Sequence, residues 1–480
     1  DVSGNGNNWT VNGTVTQTTD SPTDSATTNV GNYCTLNPLD FYTTPTLTQR
    51  NLHSGASGRV RGTVAFDATD TNGIYFEMQY SSMASNSGFG ILGTFKSLVA
   101  GFDFDADLYE IQWWCGGNTL QTYHTSAISL STVCTTSDIL QMAVKAGNVW
   151  IGKNNTWFGS GNPSTGANPY WTGLTGKFSP QALHGNVKLN FGQTAFTYTP
   201  PTGFNRLSTA NLPAPTIKND DLHFNVVTWT GDGAGGGNRS ITGVGFQPDL
   251  VWVKKRSAIQ SHEIYDSVRG AIKRLQSDTT GAESDQNGVI SFDSDGFSIG
   301  DQTSGGALDD SGATYVAWCW KGNGSGSSNT SGTITSTVSA NTTAGFSVVT
   351  YTGTGANATV GHGIGTAPKM VIVKQRSGAG TSWVTWHTSF AGTDYINLND
   401  TGAKATAATV WNSTTPTSTV FSIGTDTTTN TNTATYVAYC FAEITGFSKI
   451  GSYIGNGAAD GPFVWCGFRP RYILIKRTDT

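Results

Sequence analysis

The feature that most constrains this chain is a phrase it uses more than once. GFSVVTYTGTG at 345–355 repeats HFNVVTWTGDG at 223–233, and GFSKIGSYIGNG opens again at 446. A second phrase answers itself in all three places: GFQPDLVWVKKRS at 245–257, GTAPKMVIVKQRS at 365–377 and GFRPRYILIKR at 467–477. The first two copies also share FSIG (297–300 and 421–424) and TYVAWCW (314–320) against TYVAYCF (435–441). The four phrases begin at 223 and 345, 245 and 365, 297 and 421, 314 and 435, so the offset stays between 120 and 124 residues. A fixed offset predicts tandem domains built on one plan. The third copy has its first two phrases only. Opening strands alone cannot enclose a core, so the chain is expected to be a piece of a longer protein.

Composition points the same way. The 480 residues hold 60 glycines but only 12% charged residues, and aromatics stand at 11%, too many for a disordered polymer. Thr, Val, Tyr and Trp favour pleated surfaces while Gly and Asn make turns, which predicts an all-β protein. A net charge of −5 gives no electrostatic footprint for nucleic acid. No apolar run reaches the roughly 18 residues a membrane helix needs, so no membrane insertion is expected. Few Lys and Glu are present to protect sheet edges, which favours association with other subunits. The chain shows no basic-then-apolar leader. Of six cysteines, Cys319 and Cys440 hold equivalent places in the two copies and read as small buried hydrophobes. Cys34, Cys115, Cys134 and Cys466 form no CxxC pair and have no histidine at ligand spacing, so neither zinc nor a disulfide framework is expected.

Taken in order, residues 1–30 read as the end of a preceding domain and a connector. Residues 31–205 hold short strands between turn clusters, the spacing of an antiparallel β-sandwich. Residues 206–222 carry prolines without alternation and read as a semi-rigid spacer. Copy one is assigned to 223–321, a Gly/Ser/Thr linker to 322–344, copy two to 345–444, and the start of a third copy to 445–480. In TYVAWCW, Tyr315, Ala317 and Cys319 lie on one face and Val316 and Trp318 on the other. A strand apolar on both faces belongs inside a layered core. In DILQMAVKAGNVWIGK (138–153), Ile139, Met142 and Val144 are expected to face a core, with Gly147 turning the hairpin.

Two resemblances follow from these words. GIYFEMQYSS (73–82), FGILG (89–93) and DILQMAVKAGNVWIGKNNTW (138–157) resemble in their order the SPRY-type, concanavalin-like sandwich, mostly a binding scaffold. With DVSGNGNNWT, GNYCTLNPLD, PTGFNRLSTANLPAPTI and the repeat phrases, the whole chain resembles virion proteins of marine tailed bacteriophages, often described as tail fibres. That resemblance implies a structural protein of the particle, made in the host cytoplasm and displayed outside on the virion. It implies association with copies of itself, as a homotrimer, and with other virion proteins, and contact with host-surface glycan. It brings no catalytic residues and no cofactor.

Candidate sites are few. Trp113 and Trp114, with Tyr123 and Trp157, could offer sugars an aromatic platform in a Ser/Asn-rich setting. Asp103, Asp105 and Asp107 alternate in GFDFDADLYE and could offer calcium its oxygens, although Leu108 and Trp114 stand where an EF-hand-like loop needs Gly and Glu. Asp293 and Asp295 in FDSDG could flank a glycosidic bond, but DSDG is also an ordinary turn, and copy two lacks both carboxylates. His262, Asp266 and Ser267 evoke a triad without a nucleophile elbow to project the serine. The reading favours a non-enzymatic binding and structural protein. A tailspike polysaccharide depolymerase and a bacterial extracellular adhesin or filament subunit are its alternatives.

Overall fold

The computed structural model describes residues 32–55, 58–82, 87–94, 110–116, 119–123, 127–183, 186–212, 216–233, 238–300, 308–455, 457, 464 and 466–479. The chain is all-β, and among the described strands the pairing is antiparallel apart from the Phe204–Arg206 strand, which runs parallel to Gly73–Tyr80. Contacts divide it into a first unit, Asp1–Pro213 with Tyr453–Gly467, and a second, Ala214–Ser452 with Phe468–Thr480.

The first unit is a sandwich of two 8-stranded sheets. One runs Leu36–Phe41, Arg59–Gly62, Lys177–Leu183, Ser87–Gly93, Glu110–Gly116, Thr119–Tyr123, Ala127–Val133; Phe66–Asp67 also pairs with Lys177–Leu183. The other runs Thr156–Trp157, Asn148–Lys153, Ile139–Lys145, Gly73–Tyr80, Val187–Asn190, His53–Ser54, Leu47–Thr48. Side chains alternate between faces along a strand, so one set from each sheet must meet. Leu140, Met142 and Val144 sit opposite Met78, Phe76 and Ile74 and pack with Val60, Phe89, Ile91 and Phe178 of the facing sheet. Ile139, expected inside, is one residue out of phase and half-buried; Leu140 takes the inward place. The hairpin turns at Ala146 and Gly147, both at positive φ (49° and 77°), where glycine removes the penalty of a Cβ.

In the second unit each complete copy is a two-sheet body. Copy one has a 6-stranded sheet in the order Phe224–Thr230, Thr314–Trp320, Leu250–Lys255, Glu263–Asp266, Lys273–Gln276, Ser284–Asp285. Its partner sheet is 3-stranded: Arg239–Thr242, Gly296–Ile299, Val289–Asp293. Tyr315, Ala317 and Cys319 point into the core between them, with Ile241, Phe297 and Ile299. Copy two places Phe346–Thr352, Thr435–Phe441, Met370–Gln375, Val384–His387, Asp394–Asn397 and Ala405–Thr406 in the same order, and Ala358–Gly361 with Val420–Ile423 form its second sheet.

Three expectations change. The stretch 322–344 is not simply a linker: Ser327–Asn329 and Ser336–Asn341 extend copy two's large sheet to 8 strands, and Ile334 and Val338 are buried in its core. Thr and Val alternating in TITSTVSAN satisfy a strand better than the composition suggested. The spacer at 206–222 begins later than its prolines implied, because Leu207 is buried in the sandwich core. Described residues of 445–480 form no strand, although this stretch repeats the words of strands elsewhere.

Candidate functional site

One cluster of charged groups in the second unit, Asp266, Arg269, Glu283 and Arg376, lies where the two copies meet. The face of Thr314–Trp320 turned away from its own core carries Trp318 and Trp320; the equivalent face in copy two carries Tyr439 and Phe441. These faces pack on each other through Leu250, Trp252, Ile264 and Leu275 against Phe346, Val348, Ile372 and Val437. Trp320 and Phe441, equivalent in the two copies, touch directly at 6.1 Å between ring centroids. Such self-contact marks a face joined to its own counterpart, the geometry of an isologous dimer, here within one chain. The copies are therefore not independent modules on a string.

A polar chain crosses this seam. Asp266 ends its strand, and its Oδ1 accepts the backbone N–H groups of Val268 (3.1 Å) and Arg269 (2.8 Å), which folds the arginine back over the carboxylate. Arg269 Nε then donates to Asp266 Oδ2, with both side chains at 0% exposure. Across the seam, Tyr439 Oη donates to the same Oδ2 at 2.7 Å. Arg269 also donates to the carbonyls of Ile264 (3.0 Å) and Lys273 (2.8 Å) and to Glu283 Oε2 (3.1 Å). Glu283 takes a two-pronged pair from Arg376 of copy two, both bonds 2.9 Å. Two carboxylates thus meet two guanidiniums, so burial leaves no net charge uncompensated. Burial pushes the Glu283 carboxyl up, but the Arg376 hydrogen bond and the two guanidinium charges outweigh it and hold the pKa below the ordinary 4.5. Burial pushes the Tyr439 phenol well above the ordinary 10.0, keeping it a donor. Trp383 adds an indole hydrogen bond to Gln276 O (2.8 Å), and Lys374 Nζ reaches Thr280 O (2.9 Å). With Asp266 and Arg269 sealed from solvent, what this arrangement does chemically is clamp.

The triad-like residues belong to three different networks. His262 Nδ1 accepts from Trp252 Nε1 (3.2 Å), Asp266 holds the seam, and Ser267 Oγ donates to Asp249 Oδ1 (2.7 Å). The FDSDG carboxylates serve their turn: Asp295 accepts from the N–H groups of Gly243 (3.1 Å) and Gly245 (2.7 Å), and Asp293 from Ser291 and Ser298. Asp103, Asp105 and Asp107 lie outside the described residues. Among the described residues no group of three His, Cys, Asp or Glu could hold a metal ion. Nor is any helix among them long and apolar enough to cross a membrane. Of the aromatic candidates, Trp113 sits in register with Phe89 and Thr122, Trp114 with Gly88 and Gln121, and Tyr123 with Gln112. Trp157 is on the other sheet of the sandwich, half-buried beside Tyr75, Trp150 and Phe204. A Cβ at Gly152 would come within 3.0 Å of the Trp157 ring, so one ring face is already covered.

The seam clamp escaped sequence reasoning. Its one legible signal was a difference between copies, Asp266 and Arg269 standing where copy two has His387 and Phe390.

A family model described as "Domain of unknown function (DUF7483)" matches residues 219–480. No curated protein matches the chain. Among solved structures, the TRIM65 PSpry domain is similar at 14% identity over 33% of this chain and 90% of that one, with a TM-score of 0.25. The SPRY domain of human HERC1 is similar at 11% identity over 33% and 99%, TM-score 0.23. The exoplasmic/lumenal domain of VIP36, in a Ca2+/Man-bound form, is similar at 12% identity over 35% and 93%, TM-score 0.22.

Proposed function

The chain belongs to the DUF7483 family, and we propose that it is a structural component of a bacteriophage virion, part of a tail fibre or surface appendage that presents a binding surface to host glycan. The observation that carries this reading is the seam. Two copies locked through a buried apolar face and a charge-neutral clamp make a body that resists bending between modules. A projecting fibre needs that stiffness, and a diffusible enzyme does not. The virion setting itself comes from the repeat and SPRY-like phrases. Weak contacts to sugar, through the aromatic residues of the sandwich, gain strength from copy number in a trimer on the particle.

The test is location. Gold-labelled antibody raised against the purified chain should decorate tail fibres or appendages of phage particles in electron micrographs. Particles that carry no label would overturn the reading, and label confined to bacterial filaments would establish the adhesin alternative. Release of reducing ends from host polysaccharide by the purified chain would establish the depolymerase instead.

A further inference from the structure

The two complete copies differ at one edge of the large sheet. In copy two, Phe346–Thr352 is interior, with Thr435–Phe441 on one side and Ser336–Asn341 on the other. Asn341 lies opposite Phe346, Ser339 opposite Val348 and Thr337 opposite Thr350. Its counterpart in copy one, Phe224–Thr230, ends the sheet, and among the described residues only Thr314–Trp320 pairs with it. The chain just before it adds no strand, since Asp220–Leu222 is a short 3-10 helix. Burial follows the pairing. Val348 and Val349 are 0% exposed, whereas Val226 and Val227 are half-buried and Thr228 is exposed.

The ends of the strand show which backbone groups point outward. Lys321 N donates to His223 O (2.9 Å) and Gly231 N to Ala313 O (2.7 Å). Backbone groups alternate in direction along an antiparallel strand, so odd-numbered residues bond to Thr314–Trp320 while Phe224, Val226, Thr228 and Thr230 face away. In copy two Ala442 N donates to Gly345 O (2.6 Å) and Gly353 N to Ala434 O (2.8 Å), which turns Phe346, Val348 and Thr350 toward Ser336–Asn341 in the same manner. Side chains take up two of copy one's outward groups. Asn225 Oδ1 accepts from Val226 N at 2.9 Å, and Thr230 O accepts from Arg239 Nη1 at 3.0 Å. Otherwise FNVVTWT has no lysine, proline or bulge, the devices that usually protect an edge. Beside Asn225 and Val226 a cavity of about 740 Å³ stays open, with Asp220 and Arg471 on its rim.

We propose that the outer edge of Phe224–Thr230 accepts one antiparallel strand from a partner protein, uncharged and alternating small hydroxyl side chains with Val or Ala. Copy two identifies that chemistry, because Ser336–Asn341 covers the same edge there. In the shared register the partner's hydroxyl residues lie opposite Val226 and Thr228, and its Val opposite Val227. Val338 occupies that place in copy two, opposite Val349, and is 5% exposed. Main-chain hydrogen bonds supply affinity and the valine supplies fit, the division of labour in strand addition. The acceptor is already a strand, so binding orders only the guest. The inference stands independently of the virion reading.

The experiment uses the full chain and a labelled peptide with the sequence of residues 332–343, GTITSTVSANTT, with a scrambled peptide as control. Saturable binding by fluorescence anisotropy is expected, together with slowed amide exchange within 224–230. Thr228→Pro removes an outward N–H and leaves the bonds to Thr314–Trp320 in place. It should weaken binding about tenfold or more, the scale of one main-chain hydrogen bond together with the clash of the ring. The urea midpoint of this variant should stay near that of the parent. Thr350→Pro should lower it clearly, because Ser336–Asn341 already uses that amide. Thr228→Lys, at an exposed side chain, gives a second block that spares the backbone and should weaken binding as well. Equal binding of the scrambled peptide, binding that survives both Thr228 variants, or protection at 346–352 and not at 224–230 would overturn the proposal. A Thr228→Pro midpoint that falls as far as that of Thr350→Pro would also overturn it, by showing the edge already covered. So would a dimer of the peptide-free chain that Thr228→Lys abolishes, which would assign the edge to self-pairing.

Discussion

The two complete copies agree inside and disagree where they meet. In copy one Trp229 stacks on Tyr315, 5.2 Å between centroids and 11° between planes; in copy two Tyr351 stacks on Tyr436 at 5.1 Å and 11°. Trp229 donates to Leu308 O and Tyr351 to Thr429 O, at matching places. Cys319 and Cys440 are both fully buried. At the seam the likeness stops. Asp266, Arg269 and Glu283 of copy one face away from their core, and copy two has His387, Phe390 and Lys404 at those positions. A symmetric clamp would set Arg256 toward Lys404, like charge against like. Among the described residues the seam has one such clamp, and on the other side the N–H of Lys404 donates to Thr478 O. Duplication preserved what each copy needs alone, and divergence supplied what the pair needs together.

The sharpest way to break that comparison is Arg269→Met. Removing one partner of a buried ion pair leaves Asp266 charged without its guanidinium, and such losses amount to roughly 3–5 kcal/mol. The midpoint of urea unfolding of the second unit should fall accordingly. Adding Asp266→Asn should recover much of the loss, because both charges are then gone. A change within about 0.5 kcal/mol for Arg269→Met, the range of ordinary surface substitutions, would mean the clamp holds nothing. Tyr439→Phe is the milder version. It deletes one hydrogen bond to a charged acceptor and should cost about 1.5–3 kcal/mol in the same measurement, without disturbing the Tyr351–Tyr436 stack within copy two.

Much of the fold could be read because its signals are local and periodic. TYVAWCW shows both its faces in alternation, and the offset between copies sets each copy's extent. What stayed hidden was pairing. Alternation says that Trp318 and Trp320 share a face but not that the partner is the same face of copy two. The stretch 322–344 looked flexible because Gly and Ser dominate its start, while its strands depend on an edge that only the folded sheet provides. His262, Asp266 and Ser267 evoked a triad, though without an elbow to project the serine, because nearness in sequence was the only geometry at hand. The fold sends the three side chains to different neighbours.

The smallest expected effect is a slope against pH. Lys374 Nζ is held by Thr280 O of copy one and Thr381 O, and burial lowers its pKa from the ordinary 10.5 to about 8. Its counterpart Lys254 reaches only Gln260 O, within copy one. Below pH 8 Lys374 is charged whether folded or unfolded, and the cost of burying the charge is present in full. Between about 8 and 10.5 the folded chain has released this proton while the unfolded chain still holds it. The unfolded state then binds more protons, so stability rises with pH across that window and levels off above it. Burial holds the tyrosines above the ordinary 10.0 in the folded chain while they titrate near 10 when unfolded, so the readout is the difference between parent and Lys374→Met in urea midpoints below, within and above the window. That difference should shift in favour of the parent as pH climbs, and Lys254→Met should leave the rise in place. A parent and Lys374→Met that keep a constant separation at every pH would show that the ammonium at the seam carries no burial cost, and that the two lysines are equivalent after all.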